Sequence, residues 1–504
     1  MNGSRRPARS VFSLFALWGL AVVLVSPASA ARAAEQESWD AIYMAGSKVG
    51  HVHIFVEPVN DKGRKLLRVR VDTVLNFRRD KDLVTNKLQY GTIETLDGSV
   101  LRLDTRTLTS DGEIRAYGDV VDGEMNLILQ SGGTRQEKVL KWSPDVRGPY
   151  AAEMTLAREP IKPGESRDLK MFVPDLNRIC DITLTAKQKE EVLLGDGEKH
   201  ALLRIEETTK LDGKARREFD TTLWVDSAGQ VIKSSQDVLG GMVVYRTTKE
   251  GALAADRGMA VDRIAHSVIK VANKIPNSTA VRAIRYRVEL PGDDLSQLLP
   301  NDRRQTLTTE GESKSSGTLN VKTAGPEVGE AESGEVSPQF LRPNALVTSE
   351  DSQVQALTRR AVGDTQGAWE KAVKIERFVF QNLKDKNFAT TFAPASEVAR
   401  TLSGDCTEHS VLAAAMSRAA GLPSRVAIGL VYADHLGGFG FHMWHEVHVT
   451  GRWVALDASF DESAVDATHI KLSDTSLDGV APFEAFLPIV RVMGKLSIVP
   501  LEVR

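Results

Sequence analysis

The chain has 504 residues and a formal charge of −3, from 64 Lys and Arg against 67 Asp and Glu. So even a balance, with no basic tract, speaks against a nucleic-acid partner and against an electrostatic hold on anionic lipid. The length allows two or three domains, each with a sizeable core, and only two cysteines are present, Cys180 and Cys406.

The first nine residues carry Arg5, Arg6 and Arg9 and no acid, and Val11–Val25 is apolar apart from Ser13. Ser26-Pro27-Ala28-Ser29-Ala30 then offers small residues in the A-x-A manner. This pattern predicts a secretory signal peptide over residues 1–30, cleaved after Ala30, with Ala31-Arg32-Ala33 as a second choice. Its loss removes three positive charges and no negative ones, so the charge moves from −3 to −6. No later stretch is long and apolar enough to span a bilayer. The expected location is therefore periplasmic or secreted, with no integral membrane segment after processing.

From residue 31 to about 256 the sequence reads as strand after strand with turn signals between. His51-Val52-His53-Ile54-Phe55-Val56 and Thr222-Leu223-Trp224-Val225 are examples, with turns at Asn60-Asp61-Lys62-Gly63 and Leu211-Asp212-Gly213. Many strands alternate polar and apolar residues, which predicts one large curved antiparallel sheet or barrel-like wrap with little helix. No cluster of acids or histidines marks a site there, so this half is read as a scaffold or as the surface for an envelope partner. Cys180, inside Ile179-Cys180-Asp181-Ile182, reads as a strand residue.

Residues 257–345 read as a transition. Thr279–Leu290 contains a strand, and Thr309–Ser337, rich in Glu, Gly and Ser and without aromatics, reads as an exposed loop or linker. Beyond Pro343 the text turns helical, with apolar residues at three- and four-residue steps over Ala368–Phe380 and a short helix at Ser396–Leu402.

Gly404-Asp405-Cys406-Thr407-Glu408-His409 then leads into a run of good helix formers that Gly421-Leu422-Pro423 stops. Cys406 thus falls in the first turn of a helix, where unpaired N–H groups favour thiolate, the nucleophilic form. Arg425–Tyr432 reads as a buried strand, and His442–Val449 as a strand with His442, Trp444, Glu446 and His448 on one face. A tight turn at Thr450-Gly451 returns the chain through Arg452–Asp457. With Val449 opposite Arg452, Trp444 opposes Asp457, and His442 lies one diagonal step away on the same face. A slip of one residue would send Asp457 to the other face.

Nucleophile, base and orienting carboxylate are the three parts of a thiol acyl-transfer site. The blocks Gly404–His409, His442-Met443-Trp444-His445-Glu446-Val447 and Trp453-Val454-Ala455-Leu456-Asp457 resemble the bacterial transglutaminase-like superfamily, which is papain-like, in the order Cys, His, Asp. The resemblance covers roughly residues 346–504 and implies a C-terminal α+β domain following the large antiparallel β domain. It implies catalysis by Cys406, His442 and Asp457 through a thioester, on a Gln carboxamide or peptide bond of a protein or peptide substrate. Amine or water would resolve the thioester. The alternative is a non-catalytic envelope protein that uses the same groove to hold a peptide or partner. Both cysteines are read as reduced, since a bridge would consume the nucleophile.

No cofactor or metal is required by this chemistry. His442, His445 and His448 recur at three-residue steps, but on a strand His445 points the other way, and His445-Glu446-Val447-His448 is one residue short of the H-E-x-x-H zinc motif. His445 and His448 are read as surface or rim residues. His469, in a further strand over Val465–Leu472, is read as structural, and Lys495–Leu501 as an edge of the same sheet. The resemblance also implies an oxyanion donor from a polar side chain upstream of the Cys; that neighbourhood reads Lys386–Phe392, and no residue there is assigned the part.

Overall fold

Pairs such as Lys62-Gly63, Asp122-Gly123 and Asp212-Gly213 hold positive φ at both residues, the conformation that lets a two-residue turn follow the right-handed twist of its strands. Turns of this kind join several of the sixteen strands, from β1 (Gln36–Met44) to β16 (Met242–Thr247), that form one sheet among the described residues. The computed structural model describes residues 35–504 except 45, 80–81, 109–112, 132–133, 196, 238–240, 255–267, 327–334, 384–392 and 480–481. Residues 1–30, expected to be a signal peptide, and Lys386–Phe392 lie outside the described residues.

Neighbours in the large sheet run antiparallel except β9 (Val146–Arg147) and β10 (Ser166–Val173). The sheet curls back on itself. Ser99, at the entrance to β5 (Val100–Leu108), bridges to Arg147 of β9, and Leu103, Met125 and Leu127 pack with Trp142, Val146 and Phe172 in one core. Helix α1 (Ala151–Arg158) buries Ala152 and Leu156 in a second core, which also takes Cys180. Helix α2 (Lys249–Leu253) follows the last strand of the sheet.

A second sheet contains β17 (Ile269–Lys270), β21 (Ser424–Ala433), β22 (Gly438–Val449), β23 (Arg452–Leu456) and β24 (His469–Thr475). Around it stand α3 (Ser352–Val362), α4 (Ala368–Asn382), α5 (Ala395–Thr401), α6 (Cys406–Ala419) and α7 (Pro482–Val492). Val411–Met416 of α6 is buried against Val426, Ile428 and Leu430 of β21 and Met443 of β22, so α6 covers one face of the sheet. Leu487 of α7 enters the second core of the β region, and Arg491 pairs with Asp293 at 2.7 Å. No described helix is long and apolar enough to cross a membrane.

Three expectations change. Strands dominate the described chain, so α+β describes its C-terminal part rather than the whole. The polar segment read as a linker holds strand instead: β19 (Gln305–Glu310) and β20 (Ser316–Lys322) pair as a hairpin. Leu307, Leu319 and Val321 are buried while Thr306, Thr308 and Asn320 face out, an alternation that the polar average of the segment hides. The C-terminal strand β25 (Ser497–Val503) pairs with β18 (Ala283–Glu289) in the sheet of that hairpin, not with the His442 strands.

Candidate active site

Asp405 caps α6 and Cys406 is its first residue. The Asp405 carboxylate accepts the Thr407 N–H at 2.8 Å, and Glu408 reaches back to accept the Asp405 N–H at 3.0 Å, a capping box. Glu408 also accepts the Ala393 N–H at 3.1 Å, which ties the helix start to the segment before α5. Gly404 makes the approach possible: its φ is 145°, and a Cβ there would stand 2.3 Å from the Cβ of Glu408. Burial, with the Asp405 carboxylate beside it, pushes the Glu408 carboxyl well above the usual range. Cys406 is half-buried and packs against the main core.

The hairpin forms in the register read from the turn. Thr450 and Gly451 have φ of 53° and 77°, Val449 opposes Arg452, and His445 opposes Leu456. One step further, His442 Nε2 lies 2.6 Å from Asp457 Oδ2. A carboxylate only accepts, so Nε2 carries the proton and Nδ1 is left with its lone pair. Asp457 is fully buried, and its Oδ1 accepts the Ser459 N–H at 2.8 Å. Burial alone would raise its pKa, but the charge and hydrogen bonds of His442 and His469 outweigh it and hold the carboxyl well below its ordinary value.

A second histidine therefore shares Asp457. His469 Nε2 is 3.1 Å from Asp457 Oδ2, and its Nδ1 is 3.2 Å from Asp466 Oδ1. On the open side, Phe460 stacks on His442 with ring centroids 4.9 Å apart. Behind His442 stands Trp444, fully buried, its ring 5.3 Å from that of His469. Gly429 sits directly opposite His442 on β21, where a Cβ would meet the Trp444 ring at 2.9 Å.

Residues 355–458 match the transglutaminase-like superfamily. This domain is transglutaminase-like. The matched span contains Cys406, His442 and Asp457, and ends before His469. No curated protein matches the chain. Among solved structures, a candidate cysteine protease from Cytophaga hutchinsonii is similar at 13% identity, over 44% of this chain and 86% of its own, with a TM-score of 0.29. A β-barrel-like protein from Brucella abortus, a domain of unknown function, is similar at 15% identity over 43% of this chain and 98% of its own, with a TM-score of 0.31. The periplasmic domain of TgpA from Pseudomonas aeruginosa is similar at 13% identity, over 36% of this chain and 92% of its own, with a TM-score of 0.22. All three superpositions are loose, and none bears on the reaction.

The same face of the transglutaminase-like domain carries a buried ionic network. Glu446 accepts from Arg425 at 2.7 Å and from Lys471 at 3.0 Å, and Lys471 also pairs with Asp302 at 2.6 Å. Burial alone would raise Glu446, but Lys471 and Arg425 bring it down to about 2. Sequence reading put Glu446 on this face but not its partners, since Lys471 and Asp302 reach it across the chain.

His445 is not at the surface or rim. It is fully buried on the α6 side of the sheet, with the Leu456 backbone as its nearest polar neighbour among the described residues, and burial pushes its pKa down to about 4. Opposite Leu456 and next to Val447, it packs as a neutral ring. His448 is half-buried and meets Trp453 edge-on at 5.3 Å. The strand expected over Val465–Leu472 starts only at His469. His442, Asp457 and His469 offer ligand atoms within 4.8 Å of one another, as do Glu462, Asp466 and His469. The hydrogen bonds from His442 and His469 to Asp457 account for the first convergence. In the second, His469 is bonded to Asp466, and Glu462 accepts the Asp466 N–H at 3.2 Å.

Proposed function

We propose that the chain is an exported thiol acyltransferase or hydrolase acting on Gln carboxamides or peptide bonds through Cys406, His442 and Asp457. The observation that carries this reading is the 2.6 Å contact of His442 Nε2 with Asp457 Oδ2, which leaves His442 Nδ1 as the proton acceptor. A cysteine at the capped start of α6, a helix that packs along the strand of His442, supports it.

In the first step the Cys406 thiol gives its proton to His442 Nδ1, and the sulfur bonds to the carbonyl carbon. The oxyanion faces the Cys406 N–H at the helix start. The C–N bond then breaks, and the imidazolium returns its proton to the leaving ammonia or amine. An acceptor amine or water attacks the thioester, losing a proton to His442. The C–S bond breaks and Cys406 leaves as thiol. Asp457 keeps the proton on Nε2 and stabilises the imidazolium throughout. Export rests on residues 1–30, and the curled β sheet is read as the surface for an envelope partner.

Labelling envelope proteins with an amine probe, with wild type compared to Cys406→Ala, tests the reading. Adducts, or new cleavage products, that vanish in Cys406→Ala support it. Identical patterns would refute it.

A further inference from the structure

His469 enters no step above, yet it is fully buried and touches the orienting carboxylate. Its two ring nitrogens meet two different carboxylates, Asp457 at 3.1 Å and Asp466 at 3.2 Å. Both partners can only accept, so both nitrogens donate and the ring is an imidazolium. The surroundings hold it there. Burial works against the charge, but the hydrogen bonds to Asp457 and Asp466 lift His469 to about 9. Asp466 is fixed in turn, accepting the Thr468 N–H at 2.7 Å and its hydroxyl at 2.6 Å. Arg304 donates to the carbonyl of Asp466 at 2.7 Å and lies near that of His469 at 3.5 Å.

Resting on the Cys406–His442 reading above, we propose that His469 is a positioning residue: a second histidine, bonded to Asp457 and Asp466 at once, that clamps Asp457 and limits how strongly Asp457 holds the proton on His442. Two donors on Oδ2 and the Ser459 N–H on Oδ1 leave the carboxylate one orientation. Among the described residues, Asp457, Asp466 and Glu462 face His469, Arg304 acts on Asp466 and Glu462, Glu376 from α4 and His445 from the other face of the sheet act on Asp457, and Gly429 opposite His442 brings no side chain. Phe460 and Trp444 supply the remaining walls. The two imidazoles lie 5.5 Å apart, near enough for one charge to disfavour the other. His442 and His469 share the same Asp457 oxygen, so His469 competes for the negative charge that orients His442.

The test reads the pH dependence of Cys406 carboxymethylation by iodoacetate, an anion whose attack on the thiolate is favoured by an adjacent imidazolium. Wild type, His469→Gln and Asp466→Asn are compared, each checked for folding by circular dichroism and thermal unfolding. Asp466→Asn leaves His469 in place and weakens only the outer carboxylate, so it decides the matter if His469→Gln does not fold. The expected result is an alkaline limb moved to higher pH, by between about half a unit and two units in His469→Gln and by less in Asp466→Asn. Amine-probe turnover should fall about 10- to 100-fold in His469→Gln, as for other residues that act by orienting a functional side chain. Folded variants with a limb superimposable on wild type overturn the role of His469 alone, because a merely structural residue would change the folded fraction and not the limb. A wild-type Cys406 no faster than a denatured thiol would instead sink the Cys406–His442 reading, and this inference with it.

Discussion

Phe460 lies on His442 with the ring planes 19° apart, and 47% of its surface still faces solvent. An aromatic so exposed contributes little to folding, so its position over the imidazole calls for another reason. It screens the buried His442–Asp457 hydrogen bond from water, in which that bond would weaken. Phe460→Ala should cost at most about 1 kcal/mol of stability, while Cys406 reactivity at neutral pH drops several-fold. Urea unfolding and alkylation kinetics on the same samples check both halves.

The first turn of α6 gives a sharper expectation. At Gly404 a side chain would meet both an unfavourable φ of 145° and the body of Glu408. Gly404→Ala should therefore break the capping box, lower stability by about 2 kcal/mol or more, and slow Cys406 alkylation. Equal alkylation rates in the folded protein would mean that the cap does not set the sulfur's position.

The network around Glu446 is costly to break singly. Lys471→Met leaves a buried carboxylate with Arg425 as its remaining close cation, and about 3–5 kcal/mol should be lost. Adding Glu446→Gln should restore a large part of that, which a double-mutant cycle by urea unfolding measures.

Stability should be greatest near pH 4.5, because above it two buried carboxyls lose stability against one histidine that gains it, and below it His445 and Glu446 both lose. His469 is raised from 6.5 to about 9, so its contribution is complete below pH 6.5 and is lost as pH rises through 9. Burial raises Glu376 and Glu462 from 4.5 to about 7, so their ionisation penalises the fold as pH climbs across that window. On the acid side, His445 is lowered from 6.5 to about 4, and protonating the unfolded chain below 6.5 favours unfolding. Glu446, lowered from 4.5 to about 2, adds a further loss between those values. Thermal unfolding at pH 5.5 and pH 9 should show a lower midpoint at pH 9, and His469→Gln should narrow the gap.

Much of the site is legible in the sequence because its geometry is local. Thr450-Gly451 fixes a two-residue turn, the turn fixes the register of Val449 with Arg452, and the register carries His442 to Asp457. Asp405 and Glu408, three apart before an apolar run, mark the helix start at Cys406. What escapes is contact between distant segments. Nothing near His469 announces that its strand lies beside β21, which brings the ring to Asp457. The burial of His445 follows from α6 and α4 covering that face, and a period of two cannot say which face is covered. The β19–β20 hairpin was readable, since Leu319 and Val321 alternate with Asn320 and Lys322, but the surrounding Glu, Gly and Ser mask it.

If His442, oriented by Asp457, activates Cys406, the rate of Cys406 alkylation by iodoacetamide near pH 6 reports it most directly. Cys180 is buried, and burial pushes its thiol up to about 11, so in the folded protein the reaction reports Cys406. The rate should be at least about tenfold above that of the same thiol in the urea-unfolded chain. The excess should be lost in His442→Ala and partly kept in Asp457→Ala, because orienting the base matters less than having it. A wild-type rate equal to that of the unfolded chain, or one that His442→Ala leaves unchanged, would contradict it.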